Sequence, residues 1–255
     1  VALLEKIQLE FPAYGYRRLH EELEKGRGIT VNEKRIRRVM NKYGLKALIW
    51  RGFKVKTTNS LHNFGYAENK ISGITVKAKN EVWVTDITYI RISSYFVYLA
   101  CVMDLFTRKI VGYALSDRLE ATVCLQALRN AVEAEKPKPG LIHHSDRGVQ
   151  YACTDYREEL EKSGMTPSMS AKGYCYDNAF MESFFKTMKA EEVYLTEYET
   201  TEDVEKNISR FIEEMYNHKR RHSSLGYYSP EEYEHLAGKG LLKKLGIPQF
   251  VKVSP

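Results

Sequence analysis

E-V-W-V-T-D-I-T-Y-I-R at residues 81–91 alternates apolar and polar positions and is rich in Val, Ile, Thr and Tyr, which predicts a half-buried β-strand. Ser93 and Ser94 punctuate it. Y-F-V-Y-L-A-C-V-M at 95–103 predicts a second strand, and K-I-V-G-Y-A-L at 109–115, beyond turn residues at 104–107, a third. Short connections favour antiparallel neighbours, so the three form a meander. Downstream, Val123, Leu125, Leu128 and Val132 recur with near-helical period over 121–135, and the Pro and Gly residues at 137–140 end that helix. A short buried strand at 141–144, a helix at 155–163, a last strand at 167–170 and a long helix at 178–192 follow. Three strands, helix, strand, helix, strand, helix predicts an α/β domain.

Upstream the texture differs. Residues 1–80 carry 17 Lys and Arg against 7 Asp and Glu, whereas the whole chain is only +6. The first third is therefore the electrostatic footprint of a polyanion binder, and the remainder is slightly acidic. Tyr16, Leu19 and Leu23 predict a helix over 16–25, and 26–30 is a break. Asn32 suits the N-cap of a second helix over 33–43 with Gly44 as its stop. Ile36, Val39, Met40 and Tyr43 form its apolar stripe, while Arg35, Arg38 and Lys42 occupy a largely distinct face. Two short helices, the second basic, suit a helix-turn-helix that lays its second helix in a DNA groove. Residues 46–79 read as a basic linker with scattered aromatics, Trp50, Phe53, Phe64 and Tyr66, able to track a phosphate backbone.

Composition excludes other classes. At 43% hydrophobic and 28% charged residues, the chain is neither disordered nor fibrous. Its longest uninterrupted apolar run, 95–103, is far short of the roughly 20 residues a membrane helix needs. Cys101, Cys124, Cys153 and Cys175 form no C-x-x-C pair, which fits reduced thiols in a cytosol. His218 and His222 have metal-like spacing but lack the Glu of H-E-x-x-H and any nearby Cys pair. The chain opens on Val1 rather than Met, so an upstream segment is expected to be missing.

Three acids stand where such an architecture would bring them together. Alternation puts Asp86 on the same strand face as Val82 and Val84, where a charge is costly unless paired or bound to metal. Asp146 follows the short strand at 141–144, at a sheet end where ligands commonly sit. Glu182 lies in the first turns of the last long helix. Taken singly, they could be half of a buried ion pair, a turn former in Ser-Asp-Arg-Gly and a solvated helix residue. Together, a strand, a strand-end and a helix carboxylate can converge as hard oxygen ligands suited to Mg²⁺ or Mn²⁺. Phosphoryl transfer between nucleic-acid strands needs such a cluster, with two ions roughly 3.5 to 4 Å apart.

With 35 residues between Asp146 and Glu182, and Lys189 seven positions further on, the set resembles the D, D(35)E plus K/R signature of retroviral-integrase-like transposases. W-V-T-D-I-T-Y at 83–89, H-S-D-R-G-V-Q-Y at 144–151, S-A-K-G-Y-C-Y-D-N-A at 170–179 and E-S-F-F-K-T-M-K at 182–189 are similar to insertion-sequence transposases of the copy-out, paste-in type. So are Y-N-H-K-R-R-H-S-S-L-G at 216–226 and G-Y-R-R-L at 15–19, the latter like the family's accessory helix-turn-helix. The resemblance covers about residues 10–235. It implies an RNase H-like mixed sheet flanked by helices, preceded by a small all-α helix-turn-helix module. It further implies that Asp86, Asp146 and Glu182 are the catalytic residues and hold two Mg²⁺ ions, with Mn²⁺ able to substitute. Lys189 would touch a phosphate near the donor end, and Arg147, Lys172, Asn178 and Lys186 would contact backbone or terminal bases. His222 with Arg220 and Arg221 would hold the strand on the carboxyl-terminal side, and Arg35, Arg38 and Lys42 belong to the DNA-binding helix.

The expected organisation is a helix-turn-helix module at 1–45, a linker at 46–79, the catalytic core with C-terminal helices at 80–235 and a basic tail at 236–255. The expected activity is metal-dependent nicking at a transposon end, then strand transfer by the freed 3′-hydroxyl, without a covalent protein intermediate. The partners would be DNA ends and target DNA, acted on by a homodimer or larger assembly in a bacterial cytoplasm beside the nucleoid, with neither membrane nor small-molecule substrate. An RNase H-like nuclease using water alone, and an inactive helix-turn-helix regulator, are the alternatives. The chain departs from retroviral integrases in lacking their amino-terminal His-His-Cys-Cys zinc module, since residues 1–80 hold His20, His62 and no Cys. The upstream end-recognition helix-turn-helix and coiled coil usual in relatives are not visible either.

Overall fold

The computed structural model describes residues 1–48, 66–93, 95–170 and 178–253. Strands β2 (Val82–Ile92), β3 (Tyr95–Asp104) and β4 (Ile110–Ser116) form the antiparallel meander. Strands β5 (Ile142–Ser145) and β6 (Thr166–Met169) extend it in parallel on the other side of β2, giving the order β4-β3-β2-β5-β6. The helices α4 (Ala121–Glu135), α5 (Val149–Ala152), α6 (Thr154–Lys162) and α7 (Ala179–Glu191) follow the order expected from the sequence.

Period-two alternation along β2 divides the core. Val82, Val84, Ile90 and Ile92 pack with Met181, Phe184, Phe185 and Met188 of α7 on one face. Trp83 packs with Ala100, Val102 and the α4 residues Val123, Ala127, Leu128 and Ala131 on the other. Trp83 is fully buried, and its indole N–H donates to Asn80 Oδ1 at 3.0 Å, so burial leaves no unpaired donor. Each large apolar side chain removed from water in these layers contributes about 1.5–3 kcal/mol. Helix α4 lies so close to β4 that a Cβ on Gly112 would meet Ala127 O at 2.4 Å, and only glycine fits there. Asp104 acts as the turn residue expected of it: its carboxylate accepts from the Asn80 and Thr107 N–H groups.

The chain ends are more integrated than the sequence suggests. Helix α1 (Ala2–Glu10), which no sequence signal had marked, packs Leu4 and Ile7 with Tyr14, Leu19, Ile36 and Met40. The helix expected at 16–25 is instead α2 (Tyr16–Glu21) continuing as a π-turn at Glu22–Gly26, with Glu22 drawn into a buried ion pair with Arg221. Helix α3 (Glu33–Tyr43) starts on Asn32, whose side chain accepts from the Lys34 N–H, and stops at left-handed Gly44. Within the expected linker, residues 66–79 supply two core side chains, Ile71 and Val76, and β1 (Thr75–Val76) pairs with β7 (Val251–Lys252). The expected basic tail is likewise structural, because it supplies β7 and buries Leu242, Ile247 and Val253. Helix α8 (Thr201–Arg210), a π-helical stretch at Phe211–Lys219 and α9 (Pro230–Gly238) close the α7 face. Trp50, Phe53, His62, Phe64, Lys172 and Cys175 lie outside the described residues.

Candidate active site

Asp86 stands where the apolar file of β2 breaks. Strand β5 pairs with β2 only as far as His144 opposite Val84, so two positions on Asp146 comes level with Asp86. The strand end is held by His144, whose two ring nitrogens reach Ser168 and Ser170 at 2.9 and 3.1 Å. Burial lowers that imidazole to about 4, leaving it neutral. Asp146 closes its turn by accepting the Gly148 N–H at 2.8 Å, and a Cβ on Gly148 would press that same Oδ1 at 2.9 Å. Glu182 sits in the first turn of α7, where the helix dipole favours an acid. Asn178 caps the approach: its amide nitrogen lies 3.5 Å from Thr85 O, and its Oδ1 is buried without a partner among the described residues.

Electrostatics tie these groups together. Burial, then the Asp146 charge, pushes Asp86 up to about 8; the Ile87 N–H opposes this, Glu182 adds to it and Lys189 opposes it. Lys189, two turns beyond Glu182 on α7, is half-buried with its ammonium 4.4 Å from the Tyr89 ring. Its own pKa is lowered by burial and raised by Asp86. Among the described residues, no three His, Cys, Asp or Glu side chains converge closely enough to hold a metal ion. Glu182 instead turns outward to Lys186 at 3.0 Å. An exposed pair at this spacing is worth about 0.3–0.5 kcal/mol, so drawing Glu182 toward a cation costs little. The donor set fits a hard divalent cation: three carboxylates, one raised first by burial and then by the Asp146 charge, both of which a bound cation would offset.

The remaining expected contacts divide. Arg35, Arg38 and Lys42 are exposed on α3, opposite buried Ile36 and Met40. Arg147 donates through Nε to Ser170 O at 2.7 Å, with its guanidinium 4.6 Å from the Tyr66 ring centroid. Lys186 is exposed beside Glu182. Arg220 and Arg221 differ from the sequence expectation. Arg220 is 3% exposed and holds Glu191 through two 2.7 Å hydrogen bonds, and Arg221 bridges Glu22 at 2.9 Å and Glu232 at 2.6 Å. Both guanidiniums are consumed inside the protein, where they join α7, α9 and the amino-terminal helices, and neither offers a strand a surface cation. Tyr14 completes this joint by accepting the Arg221 N–H at 2.6 Å. His222 packs edge-on to Tyr216 with Nε2 unpartnered among the described residues, and burial with Arg220, Arg18 and Arg108 nearby keeps it neutral.

Sequence reasoning missed Tyr98, Leu119, Gln150 and Tyr151, which line the cleft around Asp86 and Asp146. The available signal was period-two alternation within 95–103, which sets Tyr98 on the face opposite Val97 and Leu99, and an apolar residue, Leu119, in the polar 116–120 connection.

The chain matches the Integrase core domain model over residues 76–175, a second Integrase core domain model over 163–230 and an HTH-like domain model over 1–53. It is 42% identical to the insertion element IS600 uncharacterized 31 kDa protein of Shigella sonnei, over 88% of this chain and 84% of that one. It is 39% identical to the transposase for insertion sequence element IS904 of Lactococcus lactis, over 91% and 93%. Among solved structures, it is similar to a chain of the simian T-cell lymphotropic virus intasome in complex with PP2A regulatory subunit B56 gamma. That likeness has a TM-score of 0.50 at 12% identity, over 70% of this chain and 61% of that one, and shows a shared RNase H-like fold.

Proposed function

The chain belongs to the insertion-sequence transposases that carry an integrase core domain, and from that premise we propose that it nicks DNA at a transposon end and transfers the freed 3′-hydroxyl to a target phosphodiester. The observation that carries this reading is the placement of Asp86 and Asp146 in one cleft, where burial and then the Asp146 charge push Asp86 up to about 8, Glu182 adds to the rise and Lys189 opposes it. These carboxylates would hold two Mg²⁺ or Mn²⁺ ions, which when bound supply Lewis-acid activation of the attacking oxygen and stabilise the leaving one. Asp86 and Asp146 are fixed by strand pairing and a closed turn, so two of the three donors are preorganised. Glu182 completes the set by exchanging Lys186 for the site. Lys189 orients the strand through a non-bridging phosphate oxygen, with Arg147, Lys172, Asn178 and Lys186 steadying neighbouring positions. Each transfer exchanges one phosphodiester for another and needs no covalent protein intermediate.

Arg35, Arg38 and Lys42 give α3 a phosphate-binding face for the flanking duplex. Two ends require two active sites, so a dimer or larger assembly forms on DNA. Among the described residues no helix is long and apolar enough to cross a membrane, and we assign the protein to the cytoplasm beside the nucleoid. The test incubates labelled duplexes carrying candidate ends with Mg²⁺ or Mn²⁺, beside Glu182→Gln, and resolves the strands on a denaturing gel. Joined strands that vanish in the variant support transposition chemistry. Shortened strands alone indicate a nuclease, and binding without products indicates a regulator.

A further inference from the structure

Beyond the end of β5, the hairpin of β2 and β3 continues to the pair of Ile92 with Tyr95. One face of this projecting half is core: Ile90, Ile92, Val97 and Leu99 are fully buried. The other face carries Tyr89, Arg91, Phe96 and Tyr98. Helix α4 covers that face lower down, over Trp83, Ala100 and Val102; at the upper half, α7 borders Tyr89 through Lys189, and Arg91 and Phe96 stay open to solvent. Arg91 is exposed, Phe96 is 45% exposed, and Tyr89 and Tyr98 are half-buried. Tyr89 and Tyr98 are directly opposed across the strands, and Phe96 meets Tyr89 edge-to-face with centroids 5.4 Å apart. An uncovered sheet face ordinarily carries polar residues, so three aromatics on it call for an occupant.

Two observations identify that occupant. Tyr98 lines the same cleft as Asp86 and Asp146, so the aromatic face begins where the carboxylates are. Cationic groups also border the rings: the Lys189 ammonium lies 4.4 Å from the Tyr89 ring centroid, and Arg91 pairs in register with Phe96. Aromatic rings on a sheet interleaved with cations make a surface for bases attached to a phosphate chain, as in single-strand-binding domains.

We propose that Tyr89, Phe96 and Tyr98 form a stacking platform for one or two unpaired DNA bases adjoining the phosphodiester held at Asp86 and Asp146. The proposal rests on the reading that these carboxylates act on DNA, and it states how the strand is presented: frayed, with its bases on β2 and β3 and its phosphates toward Lys189. Stacking on the platform returns part of the cost of opening the terminal pairs.

The test compares a blunt duplex with one whose last three pairs are mismatched, with 2-aminopurine in the frayed strand. The full chain is used in a Glu182→Gln background so that the strand is not consumed. Phe96→Leu removes the ring at an exposed site and keeps its apolarity, and Phe96→Trp restores a ring. The expected result is quenched 2-aminopurine on binding, frayed-duplex affinity about tenfold weaker in Phe96→Leu and preserved in Phe96→Trp, and blunt-duplex affinity unchanged within about twofold. Equal weakening on both duplexes, or none on either, overturns the platform. So does a smaller oligomer in Phe96→Leu with quenching intact, which would make the face a protein interface. Strand joining by the wild-type chain is read separately: a failed platform with joining intact leaves the proposed function standing, and quenching without joining overturns that function alone.

Discussion

Replacing Glu191 by Gln should destabilise the whole protein, even though the residue lies at the far end of α7 from Glu182. Its carboxylate receives two 2.7 Å hydrogen bonds from Arg220, and Arg18 approaches to 3.8 Å from the amino-terminal module. Arg220 is almost wholly removed from solvent, so the variant leaves a buried guanidinium beside a neutral amide. Breaking a buried pair from one side costs about 3–5 kcal/mol, against about 0–1 kcal/mol for an exposed pair. At about 2–4 °C per kcal/mol for a chain of this size, the melting temperature should fall by about 10 °C. Circular dichroism melts of wild type, Glu191→Gln, Arg220→Met and the double variant Arg220→Met/Glu191→Leu measure both the loss and the coupling. The double variant should recover part of the loss, since no buried charge then faces an apolar partner except Arg18. A melting temperature within about 2 °C of wild type, joined to weaker DNA binding, would refute this reasoning and return Arg220 to the strand-contacting role its sequence suggests.

Gly148→Ala should leave the melting temperature nearly unchanged while lowering strand joining at least about tenfold, because the added Cβ presses the Asp146 carboxylate and the end of the Gln150 side chain but no backbone; a fully active variant would show that the position of Asp146 does not matter. Burial, with His144 beside it, holds His143 at about 3. Between that value and the ordinary 6.5 the unfolded chain binds a proton that the folded chain refuses, so stability is full above pH 6.5 and falls below it. The loss is about 2 kcal/mol at pH 5 from this residue. Urea melts at pH 7 and pH 5 should show that loss shrinking in His143→Gln, and an identical loss would contradict it. Replacing Arg35, Arg38 and Lys42 together by Ala should reduce the slope of log affinity against log salt by up to about 3, and an unchanged slope would remove α3 from the DNA interface.

Much of the core was legible because its signals are local. Alternation at Val82, Val84 and Asp86 marks both β2 and the one face position where a carboxylate needs a reason. Val123, Leu128 and the Pro and Gly residues after them bound α4 within a residue or so. The joint around Arg220 and Arg221 was not legible for the opposite reason. K-R-R reads as a solvated cationic run until its partners are known, and these lie 29 and 199 positions away, at Glu191 and Glu22. Likewise, β7 looks like a tail because its partner, β1, is a two-residue strand far upstream at Thr75–Val76. Alternation and element order place Asp86 on β2, Asp146 just past β5 and Glu182 at the start of α7, but the outward turn of Glu182 to Lys186 was not legible, since side-chain direction on a helix surface is set by its neighbours.

The account's central claim is that three carboxylates form one unit. The most direct measurement is the yield of joined strands in Mg²⁺ at saturating DNA for Asp86→Asn, Asp146→Asn, Glu182→Gln and the triple variant. Groups acting as a unit fail together, so each single variant should lose as much activity as the triple, about a thousandfold or more, with DNA affinity within about threefold of wild type. A single variant that keeps a tenth of the wild-type yield, or losses that multiply from one variant to the next, would contradict it.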